Sequence, residues 1–161
     1  MTDDTFASRL IGDVYGGPAG HTPIRSPLYK IAEAAIKPGF AARVSNGSVY
    51  LTNSSDNHFS GTVAMMSGHS DIDTAYSSST PDYVELYPKG SGEMVWMYYY
   101  KQTPSAATAI DDGTVMCLSS VDGYITRGVD STDADIRVGP CRKYAAGHAT
   151  NSTLVLVQLS S

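Results

Sequence analysis

From residue 28 onward, short runs of β-branched, aromatic and aliphatic residues are cut at close intervals by Pro-Gly, Asn-Gly and Asp-Gly pairs. An amphipathic helix needs apolar residues at a 3.6-residue period over several turns, and this punctuation leaves little room for one. Asn46-Gly47 separates the runs 40–44 and 48–52. Both residues tolerate the positive φ of a type I′ turn, so a tight hairpin is expected there. Pro38-Gly39 closes the run 28–36, proline fixing one φ and glycine allowing a positive one. That run is itself ambiguous, because Ile31, Ala34 and Ala35 fit a helical turn as well as a strand. Further strand runs are expected at 59–66, 83–87, 93–101, Val115–Leu118, 121–127 around Asp122-Gly123, 136–138 and 153–159. Many short strands with closely spaced turns predict an all-β fold, a barrel or a sandwich. The polar stretch 67–81 reads as a long loop.

The run 93–101 carries large residues on both faces. Alternation puts Met94, Trp96, Tyr98 and Tyr100 on one side and Val95, Met97 and Tyr99 on the other. The run 153–159 does the same, with Leu154, Leu156 and Gln158 against Val155, Val157 and Leu159. Such strands are covered on two sides. One cover is the core; the other can be a partner surface, which makes Trp96, Tyr98 and Tyr100 candidate partner-binding residues. Charged residues make up only 17% of the chain, against a usual share of about 25%. Eleven tyrosines suit buried contact, since tyrosine covers a large area with little loss of side-chain entropy.

The chain divides into an extended N-terminal arm, 1–27, and a β-barrel-like body, 28–161. Gly12, Gly16, Gly17, Pro18, Gly20, Pro23 and Pro27 interrupt the arm too often for a long helix or strand. A short helical turn fits 6–11. Phe6, Leu10, Ile11, Val14 and Tyr15 are apolar side chains that must pack back on the body or lie on a neighbour, and they join the candidate partner-binding set. The net charge of −5 and a pI near 5.1 speak against a nucleic-acid face, which needs clustered Lys and Arg. No basic-then-apolar leader and no membrane-length apolar run are visible, so the expectation is a chain made in the cytosol without a membrane partner. Cys117 and Cys141 are expected to be buried free thiols. The three glycosylation sequons are read as turn residues.

No catalytic, metal or cofactor site is expected. His21, His58, His69 and His148 lack the spacing of zinc ligands. Asp71, Asp73, Asp130, Asp133 and Asp135 do not follow a calcium-loop pattern and read as solvated loop carboxylates. There is no Gly-x-Ser-x-Gly elbow. Cys117 sits in a strand, where burial makes a thiol inert. Gly90-Ser91-Gly92 is a turn with no helix after it. The stretch 120–128 faintly resembles the Asp-x-x-Tyr-Arg-Gly motif of trimeric dUTPases. Here Tyr124 follows Asp122 by two residues, and Ile125-Thr126 separates it from Arg127-Gly128. A hairpin at Asp122-Gly123 explains the match better.

The order of elements resembles that of the capsid cement (decoration) proteins of tailed viruses. Ser26-Pro27-Leu28 leads into Ala35-Ile36-Lys37-Pro38-Gly39-Phe40-Ala41-Ala42, then a glycine hairpin, then Phe59-Ser60-Gly61-Thr62-Val63-Ala64. Ile110-Asp111-Asp112-Gly113-Thr114-Val115 and Val121-Asp122-Gly123-Tyr124 follow as loop and hairpin, and Val138-Gly139-Pro140-Cys141 precedes the closing run. The resemblance implies a small β-barrel or β-tulip-like body and a protein that stabilises an assembled capsid by bridging its subunits. It implies the major capsid protein as partner, self-association as a homotrimer, and a place on the outer surface of the virion. Two other readings compete: a carbohydrate-binding β module, suggested by Trp96 and the tyrosines, and a trimeric nucleotide hydrolase, suggested by Asp122 with Tyr124.

Overall fold

A computed structural model describes residues 13–100, 110, 112–128, 135–143 and 153–160. Among these there is no helix. Eleven strands follow one another: β1 Tyr29–Ile31, β2 Ala41–Ser45, β3 Ser48–Leu51, β4 Gly61–Val63, β5 Tyr83–Val84, β6 Leu86–Pro88, β7 Met94–Tyr99, β8 Val115–Leu118, β9 Ile125–Arg127, β10 Arg137–Lys143 and β11 Thr153–Gln158. The first six form one sheet in the order β5-β1-β3-β2-β4-β6, and the last five close into a barrel in the order β10-β11-β7-β9-β8. The outermost strands of the sheet, β5 and β6, are separated in the chain by Glu85 alone. The sheet must therefore roll round until its two ends meet, which covers edges that would otherwise be open to other chains. The body is an all-β, barrel-type structure, as the spacing of turns predicts.

One core runs through both sheets. Ile31, Val49, Val63 and Leu86 of the sheet, and Val95, Met97, Met116, Ile125 and Val157 of the barrel, are fully or almost fully buried. Both faces of β7 are covered: Val95, Trp96, Met97, Tyr98 and Tyr99 are all buried. Backbone bonds tie the two sheets together. Gly123 N donates to Thr52 O at 2.8 Å, and Gly123 O accepts from Ala41 N at 2.8 Å. Ser54 N donates to Ser119 O at 2.8 Å. At the same junction the rings of Phe40 and Tyr98 meet edge to face, 5.0 Å apart.

The two glycine turns differ. Asn46 and Gly47 have φ of 49° and 76°, both positive, and join β2 to β3 as the expected type I′ turn. At 121–124, Tyr124 N donates to Val121 O at 3.2 Å, but only Gly123 has positive φ, at 83°. That is the signature of a type II turn. The expected tight hairpin at Asp122-Gly123 is thus a longer connection, with Leu118 paired to Ile125. Tertiary contact decides it, since Gly123 must present both backbone groups to the other sheet.

Other expectations shift in length. The run 59–66 is a strand only at Gly61–Val63. The run 83–87 breaks at Glu85, where the rolled sheet passes from its first strand to its last. The run 136–138 extends to Lys143, because the register shifts between Arg137 and Gly139 and lets Pro140 sit in the ladder opposite Val115. Bulges are among the few places a sheet accepts proline. Cys117 lies opposite Arg137, and Cys141 bonds through its backbone to Thr114. Three strand positions, roughly 10 Å, separate the two cysteines, beyond the ~7 Å reach of a disulfide. Both are buried and neither is in a disulfide, and burial pushes the Cys117 thiol pKa up.

Candidate binding surface

The segment 13–28 is stitched along the body. Val14 is fully buried, and its carbonyl accepts from Trp96 N at 2.7 Å. Gly16 N donates to Met94 O at 2.8 Å. Further on, the buried carboxylate of Glu93 accepts from Ile24 N at 2.7 Å and lies 3.3 Å from His21 Nε2. Ser26 pairs with Leu86 twice: Ser26 N donates to Leu86 O, and Ser26 Oγ accepts from Leu86 N, each at 2.8 Å. Burying a carboxylate demands donors to replace water, and here the segment supplies them.

Arg25 is the hub of this segment. Its guanidinium lies 3.2 Å from Glu85, 3.9 Å from Asp13 and 3.0 Å from the Tyr87 hydroxyl, and 5.2 Å from the Tyr87 ring centre. Burial alone would lower its pKa, but Tyr87, Glu85 and Asp13 together raise it. Tyr15 stacks on the same Tyr87 ring with centroids 6.1 Å apart. A shallow groove beside Arg25 is lined by Asp13, Met65, Met66, Ser67, Gly68 and His69.

Arg25 and Ser26 turn toward the body, whereas Ile24 and Leu28 remain outside. Ile24, Leu28 and Tyr83 are 54%, 57% and 58% exposed, the large apolar side chains most open to solvent among the described residues. Leu28 lies two positions before Lys30, which is the register partner of Tyr83 in the β1–β5 pair. The two side chains therefore belong to adjacent stretches of one rim. Exposed apolar residues gathered at a rim are candidate protein contacts, whereas single ones need no explanation.

The sequence-derived candidates fall in different places. Val14 is core and Tyr15 half-buried, both against the chain's own body. Trp96 and Tyr98 are 8% and 5% exposed and belong to the core. Tyr100 is half-buried, with its ring 5.9 Å from that of Tyr124. Phe6, Leu10 and Ile11 lie outside the described residues. Ile24, Leu28 and Tyr83 were missed by reading the sequence.

The polar clusters have structural partners. Asp122 is exposed and accepts from Asn53 Nδ2 at 2.6 Å. Asp71 caps its own turn, accepting from Thr74 Oγ1 at 2.9 Å and Asp73 N at 2.8 Å, and these bonds hold its carboxyl below the usual range. His58 Nε2 lies 3.3 Å from Ser60 Oγ, while His69 stacks on Tyr76 at 4.0 Å and lies 2.6 Å from Thr74 O. Among the described residues no group of three His, Cys, Asp or Glu side chains is placed to hold a metal. No helix among them is long and apolar enough to cross a membrane.

No protein family matches this sequence, and no curated protein matches it.

Proposed function

We propose that this chain is a capsid cement protein, which binds the outer surface of an assembled viral shell and stabilises it by bridging the major capsid protein subunits. The observation that carries the reading is the exposure of Ile24 and of the neighbouring Leu28 and Tyr83, on a body whose other large apolar side chains are mostly covered. Nearby charges are paired within the chain: Arg25 with Glu85 and Asp13, and Glu93 with His21. A ligand that binds only the assembled shell stabilises that state by mass action and needs no chemistry. Self-association as a trimer would multiply weak single contacts. The aromatic residue that most invites a sugar-stacking role, Trp96, is buried, which disfavours the carbohydrate reading.

The test is co-sedimentation of the purified full-length chain with expanded, undecorated shells of tailed viruses. The expected result is saturable pelleting with the shells, lost in the Ile24→Glu/Leu28→Glu double variant while its melting curve is unchanged. Absence of pelleting with the shells, or equal pelleting by the folded double variant, overturns the proposal.

A further inference from the structure

Asparagine adjacent to glycine is open to a reaction that needs no enzyme. The backbone nitrogen of the glycine attacks the side-chain amide carbon, and three conditions favour it: a free amide, a free N–H nucleophile and room to rotate. The described part of the chain holds three asparagines, Asn46, Asn53 and Asn57, and the fold treats them differently.

Asn53 is tied at every atom the reaction uses. Its Oδ1 accepts from Ser55 N at 2.8 Å and Asp56 N at 3.0 Å, and its Nδ2 donates to Asp122 at 2.6 Å. The nitrogen that would attack, Ser54 N, donates to Ser119 O at 2.8 Å. Asn57 is tied through its amide nitrogen, which donates to Asp135 at 3.2 Å. Asn46 stands at the tip of the β2–β3 turn, exposed, as is Gly47. Among the described residues no hydrogen bond engages the Asn46 side chain or the Gly47 N–H. A Cβ placed on Gly47 would meet nothing within 4 Å.

We propose that Asn46 is a site of spontaneous deamidation through a succinimide, left open by the fold that restrains Asn53. The Gly47 nitrogen bonds to Asn46 Cγ, the Cγ–Nδ2 bond breaks, and ammonia leaves carrying the proton from Gly47 N. Water then opens the ring. Cleavage at Cγ yields aspartate; cleavage at the backbone carbonyl yields isoaspartate, in which the chain runs through Cβ and is one methylene longer. The longer chain no longer fits the Ser45–Ser48 register. It also displaces Gly47 O, which accepts from Lys30 N at 3.1 Å and ties β1 to the turn. The inference concerns the chain itself and does not depend on a capsid partner.

The experiment incubates the purified full-length chain at mildly alkaline pH, folded and in denaturant, and follows each asparagine by peptide mapping with isoaspartate detection. Asn46 should convert at comparable rates in both states. Asn53 should convert at least ~10-fold more slowly in the folded chain, because it reacts only from locally opened states. Equal slowing of Asn46 and Asn53 on folding overturns the proposal. The Asn46→Gly variant keeps a residue pair suited to the type I′ turn. Incubated wild-type chain should develop a less stable fraction that this variant lacks, and equal ageing of the two overturns the assigned consequence.

Discussion

Replacing Gly123 with alanine tests whether the two sheets are joined where the structure joins them. The substitution has two separable effects. The backbone stays at φ 83°, where an L side chain costs about 1–2 kcal/mol. The new Cβ would also stand 2.8 Å from Phe40 Cδ2 and 3.0 Å from Leu51 Cδ2, an overlap in a packed junction worth about 1–3 kcal/mol. The sum is a loss of about 2–5 kcal/mol. Gly47→Ala is the matched control. Its φ is 76°, and nothing lies within 4 Å of the new methyl, so only the backbone cost of about 1–2 kcal/mol applies. Reduced freedom of the unfolded chain offsets both variants equally. Urea unfolding at constant m-value reads the difference directly. Asp122→Asn belongs in the same series. It keeps an oxygen to accept from Asn53 Nδ2 at an exposed site and should change stability by no more than ~0.5 kcal/mol. Equal midpoints for Gly123→Ala and Gly47→Ala would refute the strut between the sheets. Nucleotide turnover by the wild type that vanishes in Asp122→Asn would refute the structural reading of that turn altogether.

Trp96→Ala should destabilise by about 3–5 kcal/mol, as for a large core aromatic; a loss under ~1 kcal/mol accompanied by lost shell binding would move Trp96 to an interface. Tyr98→Phe leaves Ile72 O and the Asp73 carboxylate, 3.1 and 3.0 Å from the hydroxyl, without that donor; a loss of about 1–2 kcal/mol and faster proteolysis within 67–81 are expected, and unchanged cleavage would show that the hydroxyl does not pin the loop. Burial pushes the Tyr76 pKa from 10.0 up to about 12, and also raises those of Tyr87 and Tyr98. Because the folded state resists ionisation, this stability is complete below pH 10 and is lost as pH rises toward 12; a flat urea midpoint across that window would contradict it. Truncating residues 1–25 removes Val14, whose burial contributes about 1.5–3 kcal/mol, and takes the Ile24 N–H from the Glu93 carboxylate; a melting curve unchanged from that of the full chain would disprove the stitching.

Local chemistry made much of the fold readable. Val115–Leu118 is a strand with the bounds its residues suggest, and Asn46-Gly47 makes the turn that its own φ preferences dictate. The large residues on both sides of β7 announced a strand covered twice. What could not be read depends on partners distant in the chain. Asp122-Gly123 looks locally like Asn46-Gly47, yet Thr52 and Ala41 set its geometry. Gly139-Pro140 reads as a breaker until the bulge against β8 is known. The second cover over β7 suggested a partner surface at Trp96 and Tyr98, whereas both pack within the chain's own core. The exposure of Leu28 and Tyr83 was hidden because it depends on which faces the rolled sheet leaves outside.

Strand β7 lies between two segments from opposite ends of the described chain. Tyr15 pairs with Val95 antiparallel, and β11 pairs with the whole of β7, also antiparallel. Segment 14–16 and β11 therefore run in the same direction, so the chain enters near Trp96 and leaves past Met94. A pull applied between residue 13 and residue 160 would drag the two flanking segments opposite ways along β7. Ladder bonds stand across the strand axis, so this tension loads them in shear and all together, instead of opening them one after another as a zipper does. A module gripped at its two ends would resist stretching most strongly through that three-stranded clamp.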